Sequence, residues 1–242
     1  MTPTNPRYGV YTLVVIFFSE DESIDLEGTK THALVLLSSK REMLIRTVRS
    51  YLINLGYLSL QLIVGCSAPS AGTDFVLVLP LAYWTTSTTP PVIEGFFSTV
   101  AENSPLPVLI YNFPSVIGGM DISSDSIIRL AQKNPNIFGV KLTCGNPFAT
   151  FGGKLGFFLS ALVARSHSII TALANVMPRT HGNYADWALS KVGVAGVKGV
   201  VSHYFGYGTA QGRRPLELTL VSKLSIDALE RIQQLIDIEN GL

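Results

Sequence analysis

Charge is scarce in this sequence: 14% of its 242 residues are charged, and 18 Lys and Arg nearly balance 17 Asp and Glu. A net charge of +1 gives no basic excess, so nucleic acid and anionic membrane surfaces are excluded as main partners. Cysteine is scarce too. Cys66 and Cys144 are the two present, too few for a disulfide framework in a chain of this size. Long apolar runs are missing: Val14 to Phe18 and Phe75 to Leu79 fall far short of the roughly 20 residues of a membrane helix. Met1 to Arg7 lack the succession of charged, apolar and small residues that marks a secretory signal. The expectation from these absences is a reduced, cytoplasmic protein. The four histidines, His32, His167, His181 and His203, lie far apart without zinc spacing. Gly152-Gly153-Lys154 lacks the full spacing and the Ser or Thr of a phosphate loop. Neither a metal nor an organic cofactor is expected.

What is present is apolar. Hydrophobic residues make up 47% of the chain and the mean hydropathy is +0.35, enough to bury a sizeable core. Short apolar runs alternate with helical patterns. Val10 to Phe18, Leu60 to Val64, Phe75 to Leu79, Val108 to Tyr111, Ile137 to Leu142, Phe148 to Phe151 and Ile169 to Leu173 read as strands. Helical faces fall between them: Leu44, Val48, Leu52 and Leu55 with Gly56 as stop, then Val92, Phe96, Phe97 and Val100 behind Pro90-Pro91, then Ser123 to Gln132. The chain closes on Leu229, Ile232, Leu235 and Ile236 in helical spacing. Continuous apolar strands separated by helices predict a parallel sheet covered on both faces, an α/β fold. The number of strands favours a (β/α) barrel, incomplete or distorted, over residues 1–242 as one domain, with a helical C-terminal extension from about 205 to 242. Some connections look short for such a barrel, because parallel neighbours need about a dozen linking residues. Only GCSAPSAGTD lies between Val64 and Phe75, and no strand separates Leu37 from the helical pattern after Ser38-Ser39.

Two strand ends carry candidate chemistry. Ile110-Tyr111-Asn112-Phe113-Pro114 places a Tyr where an apolar strand meets a turn, and Gly139-Val140-Lys141-Leu142-Thr143 puts a Lys inside an apolar strand. Residues at the C-terminal ends of barrel strands face the active site. A Lys among apolar neighbours has a lowered pKa and a free amine that can attack a ketone, and a nearby Tyr can then shuttle the proton. The plainer alternative is a Lys that snorkels to water and a Tyr that packs in the core. Spacing alone leaves both open.

The strings YNFP and GVKLT, thirty residues apart, together with FGGK and IITALANVMP, resemble the dihydrodipicolinate synthase and N-acetylneuraminate lyase family of class I aldolases. GVYTLVVIFFSEDESIDLEGTKTHA is similar to that family's first strand and helix. SHYFGYG with Arg213-Arg214-Pro215-Leu216 is similar to the C-terminal part of its fungal 2-oxo acid aldolases. The resemblance implies a (β/α)8 TIM barrel with added C-terminal helices, commonly a homotetramer, acting on a small 2-oxo acid and an aldehyde. It implies that Lys141 forms an imine with pyruvate or another 2-oxo acid and that Tyr111 relays protons. Gly153 matches the glycine lining the pocket beside the imine, and Ile170 the isoleucine whose backbone faces the catalytic Lys. Asn175, in the matching Ala-Asn-Val segment, takes a structural part.

The chain also departs from the family pattern. The Gly-Thr-Thr-Gly-Glu type loop, which offers N–H groups to the 2-oxo acid carboxylate, has no counterpart between Leu37 and Lys40. The Arg that synthase members carry five residues after the Tyr is Val116 here, which argues against aspartate semialdehyde as the aldehyde. The expected activity is therefore a Schiff-base lyase cleaving or condensing a 3-deoxy-2-oxo sugar acid or 4-hydroxy-2-oxoglutarate. The alternative is an impaired or inactive member that has lost its carboxylate site.

Overall fold

A computed structural model describes residues 9–12, 38–57, 61–65, 72–81, 87–142, 151–154, 158–163, 166, 168–177, 183–211 and 226–241. The chain forms two compact units, one of Met1–Gly9 with Tyr57–Ile169, the other of Val10–Gly56 with Ile170–Leu242.

The first unit is built on parallel strands. These are β2 (Ile63–Gly65), β3 (Phe75–Val78), β4 (Val108–Asn112), β5 (Ile137–Leu142), β6 (Phe151–Gly152) and the start of β7 (Ser168–Thr171), each paired in parallel with the next. With β1 (Gly9–Thr12) the strand order is β1-β7-β6-β5-β4-β3-β2. The parallel α/β architecture expected from the apolar alternation is present. The nine residues 66–74 do join parallel neighbours, Ile63 lying opposite Phe75. The reason is length. A three-residue strand spans only about 10 Å, and nine residues can reach up to roughly 30 Å.

Two helices cover one face of these strands. Helix α2 (Pro90–Asn103) starts with Pro in its first turn, where no N–H is missed, and buries Ile93, Phe97 and Ala101 at a spacing of four. The Asn136 amide ties its end to the chain beyond, donating to Ala101 O in the last turn and to Ser104 O and Leu106 O after it, at 3.0, 2.9 and 3.2 Å. Helix α3 (Ser124–Lys133) is capped by Ser123, whose Oγ accepts from Ser126 N at 3.2 Å. Asp125 in its first turn and Lys133 in its last suit the helix dipole. Ile93, Phe97 and Ala101 of α2, Ile127 and Leu130 of α3, Ile110 of β4 and Val140 and Leu142 of β5 form one core. Phe97 is fully buried there, packed edge-on against Phe96 with ring centroids 5.1 Å apart. Phe97→Ala should cost about 3–5 kcal/mol of unfolding free energy, read as a lower urea midpoint with an unchanged slope. A loss below about 1 kcal/mol would mean that this cluster does not anchor the unit. A short helix α4 (Phe158–Val163) lies between β6 and β7 in sequence.

The second unit carries α1 (Ser38–Asn54), the 3-10 turn Leu173–Asn175, α5 (Asn183–Phe205) and α6 (Ile226–Gly241). Helix α5 is interrupted at Gly193, which has φ 62°, a conformation that glycine adopts without strain. Tyr204 Oη donates to Leu229 O at 3.5 Å, and Ile232 and Ile236 of α6 are buried. The helical C-terminal region expected from Leu229 to Ile236 is present. The helix that the family resemblance implies after the first strand lies outside the described residues.

Candidate active site

Strand register brings the two candidate residues together. Along β4, Ile110 faces the helix-covered core, so Tyr111 points to the opposite face of the strand. On β5, Val140 and Leu142 face the same core and leave Lys141 on Tyr111's side. Tyr111 lies opposite Lys141 in the ladder. That pairing depends on an irregularity: Val108 lies opposite Ile137 but Leu109 opposite Gly139, so Phe138 is one extra residue on β5. Without it the register would put Val140 opposite Tyr111 and turn Lys141 to the other face.

Lys141 is 0% exposed. Its Nζ donates to Tyr111 Oη at 3.0 Å and sits 4.1 Å from the centre of the Tyr111 ring. Burial disfavours the ammonium and brings the Lys141 pKa down to about 7. Burial also disfavours the phenolate and pushes Tyr111 up to about 12. At neutral pH a large share of Lys141 is therefore the free amine, beside a phenol that keeps its proton. An amine nucleophile next to a proton donor is what attack on a ketone requires. The Tyr111 ring is flanked by Phe113, with centroids 5.5 Å apart.

Gly153 follows β6, and its N–H donates to Leu142 O at 2.6 Å, one residue past Lys141. Lys141 itself is opposite Phe151 in the β5–β6 ladder. Ile170 is buried on β7 and belongs to the second unit. Val116 ends the 3-10 turn Pro114–Val116 just beyond Tyr111 and is 51% exposed. Asn175 is buried on the turn Leu173–Asn175, its Nδ2 donating to Ala172 O at 2.7 Å. Cys144 lies outside the described residues.

One feature was not visible in the sequence. Lys198 on α5 is also buried, its pKa lowered to about 8 by burial, and its Nζ donates to Gln211 O at 3.4 Å. The run Val194 to Val201 reads as an apolar helix face, and one Lys within it gives no sign of whether it reaches water.

Comparison with known proteins matches the chain to a family. The dihydrodipicolinate synthetase family matches residues 60–211, the span that holds Tyr111, Lys141 and Gly153. The Emericella nidulans protein named "Probable 4-hydroxy-2-oxoglutarate aldolase, mitochondrial" is 33% identical, over 86% of this chain and 88% of its own length. The L-threo-3-deoxy-hexylosonate aldolase of Hypocrea jecorina is 31% identical over the whole of both chains. That match has 319 aligned positions against the 242 residues here, a difference of 77, in keeping with whole blocks missing from the family pattern. Among solved structures, a dihydrodipicolinate synthase family protein from Coccidioides immitis superposes with a TM-score of 0.76 at 28% identity, covering both chains completely. A dihydrodipicolinate synthase from Thermotoga maritima, 18% identical, has the same fold at a TM-score of 0.78, over 98% of this chain and 99% of its own. The expectation of a cytoplasmic protein is corrected by the same comparison. The Emericella nidulans relative and one from Coccidioides immitis, 36% identical over 74% of this chain and 71% of its own length, are both named mitochondrial. Low charge and two cysteines do not distinguish two reducing compartments. The expected fold class stands, and this chain belongs to the dihydrodipicolinate synthetase family.

Proposed function

We propose that this protein is a class I aldolase that cleaves or forms a carbon–carbon bond between a pyruvate-type 2-oxo acid and an aldehyde. The single observation that carries the reading is the buried Lys141 amine 3.0 Å from the Tyr111 hydroxyl. In the cleavage direction the neutral Lys141 amine attacks C2 of the 2-oxo acid. The carbinolamine then loses water, its hydroxyl taking the Tyr111 proton, and an imine forms. The bond between C3 and C4 breaks as the Tyr111 oxygen takes the proton of the C4 hydroxyl, which releases the aldehyde and leaves an enamine. Protonation at C3 and hydrolysis of the imine return the free amine and release the shortened 2-oxo acid.

Substrates of the 4-hydroxy-2-oxoglutarate or 3-deoxy-2-oxo sugar acid type suit this reading, since relatives are named as aldolases of both. Those names favour an enzyme over an inactive family member. Val116 stands where an Arg would pair with a second carboxylate, so aspartate semialdehyde should be a poor partner. The substrate-binding roles that the family resemblance gives Gly153 and Ile170 each, and assembly into a homo-oligomer, belong to the same reading.

Borohydride added with pyruvate tests the proposal. A stable adduct on the peptide containing Lys141 is expected, and none on the one containing Lys198. An adduct that spares Lys141 would refute the assignment, and no adduct would refute the class of reaction.

The pH profile gives a second check. Imine formation needs the neutral amine, so kcat/KM should rise with pH along an acid limb whose midpoint is about 7. A limb centred near the ordinary Lys value, about 10.4, would mean that burial does not tune this amine.

A further inference from the structure

On the other face of β4 from the Lys–Tyr pair, Asn112 is buried and both polar atoms of its carboxamide are bonded. Nδ2 donates to Asp121 Oδ1 at 2.6 Å and to Ile122 O at 3.3 Å, while Oδ1 accepts from Ile122 N at 3.2 Å. The amide thus pairs with the Ile122 backbone in both directions, much as a neighbouring strand would. The Asp121 carboxylate adds a charge-assisted bond.

These bonds close the chain reversal of residues 113–121. It leaves β4 at Phe113, makes the 3-10 turn Pro114–Val116 and passes Gly118 and Gly119 at φ 65° and 82°. Ser123 then caps α3. Phe113, the first residue of this reversal, is the aromatic ring beside Tyr111. The position of that ring therefore depends on how tightly the reversal is closed.

We propose that Asn112 and Asp121 form a clamp that positions Tyr111: by tying the two ends of the reversal together they hold Phe113 against the Tyr111 ring and keep its hydroxyl at the Lys141 amine. The inference rests on the proton-relay reading above. Asn112 touches neither reacting atom and is a positioning residue. Its amide is the side chain for the task, because it donates to a carboxylate and a carbonyl and accepts from an N–H at once. A Leu there would orphan the Ile122 N–H and C=O, and an Asp would set two carboxylates against each other.

Substitutions at both ends test the clamp. Asp121 is exposed, so Asp121→Ala, which removes the acceptor, should fold, while Asn112→Ala removes the clamp entirely. In Asp121→Ala, kcat should fall about 10- to 100-fold with KM for the 2-oxo acid within twofold, because the Lys141 amine is unaltered and the imine, formed more slowly, still reaches completion. Borohydride trapping should remain stoichiometric. The ring resonance of Tyr111, assigned by labelling with 13C-tyrosine and by its loss in Tyr111→Phe, should shift or broaden. Asn112→Asp should be worse than either, and Asn112→Asp/Asp121→Asn, which exchanges the two groups, should recover part of kcat. Wild-type kcat with an unchanged Tyr111 resonance in Asp121→Ala would overturn the clamp, and so would a rise in KM alone. If the unaltered protein traps no pyruvate, the functional reading fails instead, and the Tyr111 resonance alone then decides whether the clamp exists.

Discussion

Lys141→Met should lose at least about 10³-fold in turnover and all borohydride trapping of pyruvate, yet melt at a higher temperature than the unaltered protein. Met has nearly the length of Lys and no charge, and Lys141 is fully buried. The stability sign follows from the pKa. An exposed Lys in the unfolded chain holds its proton to about pH 10.4, whereas in the fold the amine gives it up at about 7. Between these values the unfolded state binds more protons, so wild-type stability falls as the pH is lowered from about 10 and levels off below about 7. At roughly 1.4 kcal/mol per unit, the cost at neutral pH is on the order of a few kcal/mol. Met escapes that cost but leaves the Tyr111 hydroxyl without this partner, which takes back about 1–3 kcal/mol. Lys141→Met/Tyr111→Phe should therefore be the most stable of the series. The advantage of both variants should shrink as the pH is raised from 7 toward 10. Melting curves at pH 7 and pH 9, with turnover measured alongside, check both halves. A variant that is inactive and also less stable at pH 7 would mean that the Lys141 ammonium is well solvated in the fold. A variant that still turns over would remove Lys141 from the mechanism.

That a side chain so costly to bury could be found in the sequence reflects its neighbours. Phe138, Gly139, Val140 and Leu142 offer no polar company, so a Lys among them must either reach water or carry a function. The strands themselves were legible for the same reason: Ile137–Leu142 falls where its apolar run does, and Val108–Asn112 gains only one residue over its run. The register was not legible. Whether Lys141 meets Tyr111 is decided by the extra residue at Phe138, and Phe138 looks like any other strand residue in an apolar run. Parity along β4 and β5 gives side-chain faces only if the ladder is regular. The Asn112 clamp was hidden for a related reason, since an Asn before a Phe-Pro turn reads as turn chemistry. Its partners, nine and ten residues on, are set by how the reversal closes. Lys198 escaped notice because its environment is fixed by the return of residues 206–211 toward α5, where Ser202 Oγ also donates to Gly208 O at 3.1 Å. Such contacts are tertiary and leave no local period in the sequence.

Tyr111→Phe should lower kcat by about 10²- to 10⁴-fold, the range for loss of a general acid–base group, while leaving Lys141 able to form the imine. The ring is kept, so the contact with Phe113 at 5.5 Å and the fold survive; only the hydroxyl goes. The two effects separate because the groups do different work. Burial alone lowers the Lys141 pKa, so removing the phenol should leave the acid limb of kcat/KM near 7 and the amine as nucleophilic as before. What disappears is the group that holds a proton through the neutral range, with its pKa at about 12, and can both give it to a departing hydroxyl and take one from the alcohol whose carbon–carbon bond breaks. A histidine, with its pKa near 6.5, would be a weaker base toward that alcohol than a phenolate. Single-turnover experiments with borohydride quenching should show the adduct at Lys141 still reaching full stoichiometry, more slowly, with aldehyde release slowed most. Tyr111→Phe with kcat within about threefold of the unaltered enzyme would show that water carries the proton instead. A variant that keeps its melting temperature but forms no adduct would show that the hydroxyl is needed to expel water from the carbinolamine. That places its main contribution before the carbon–carbon step.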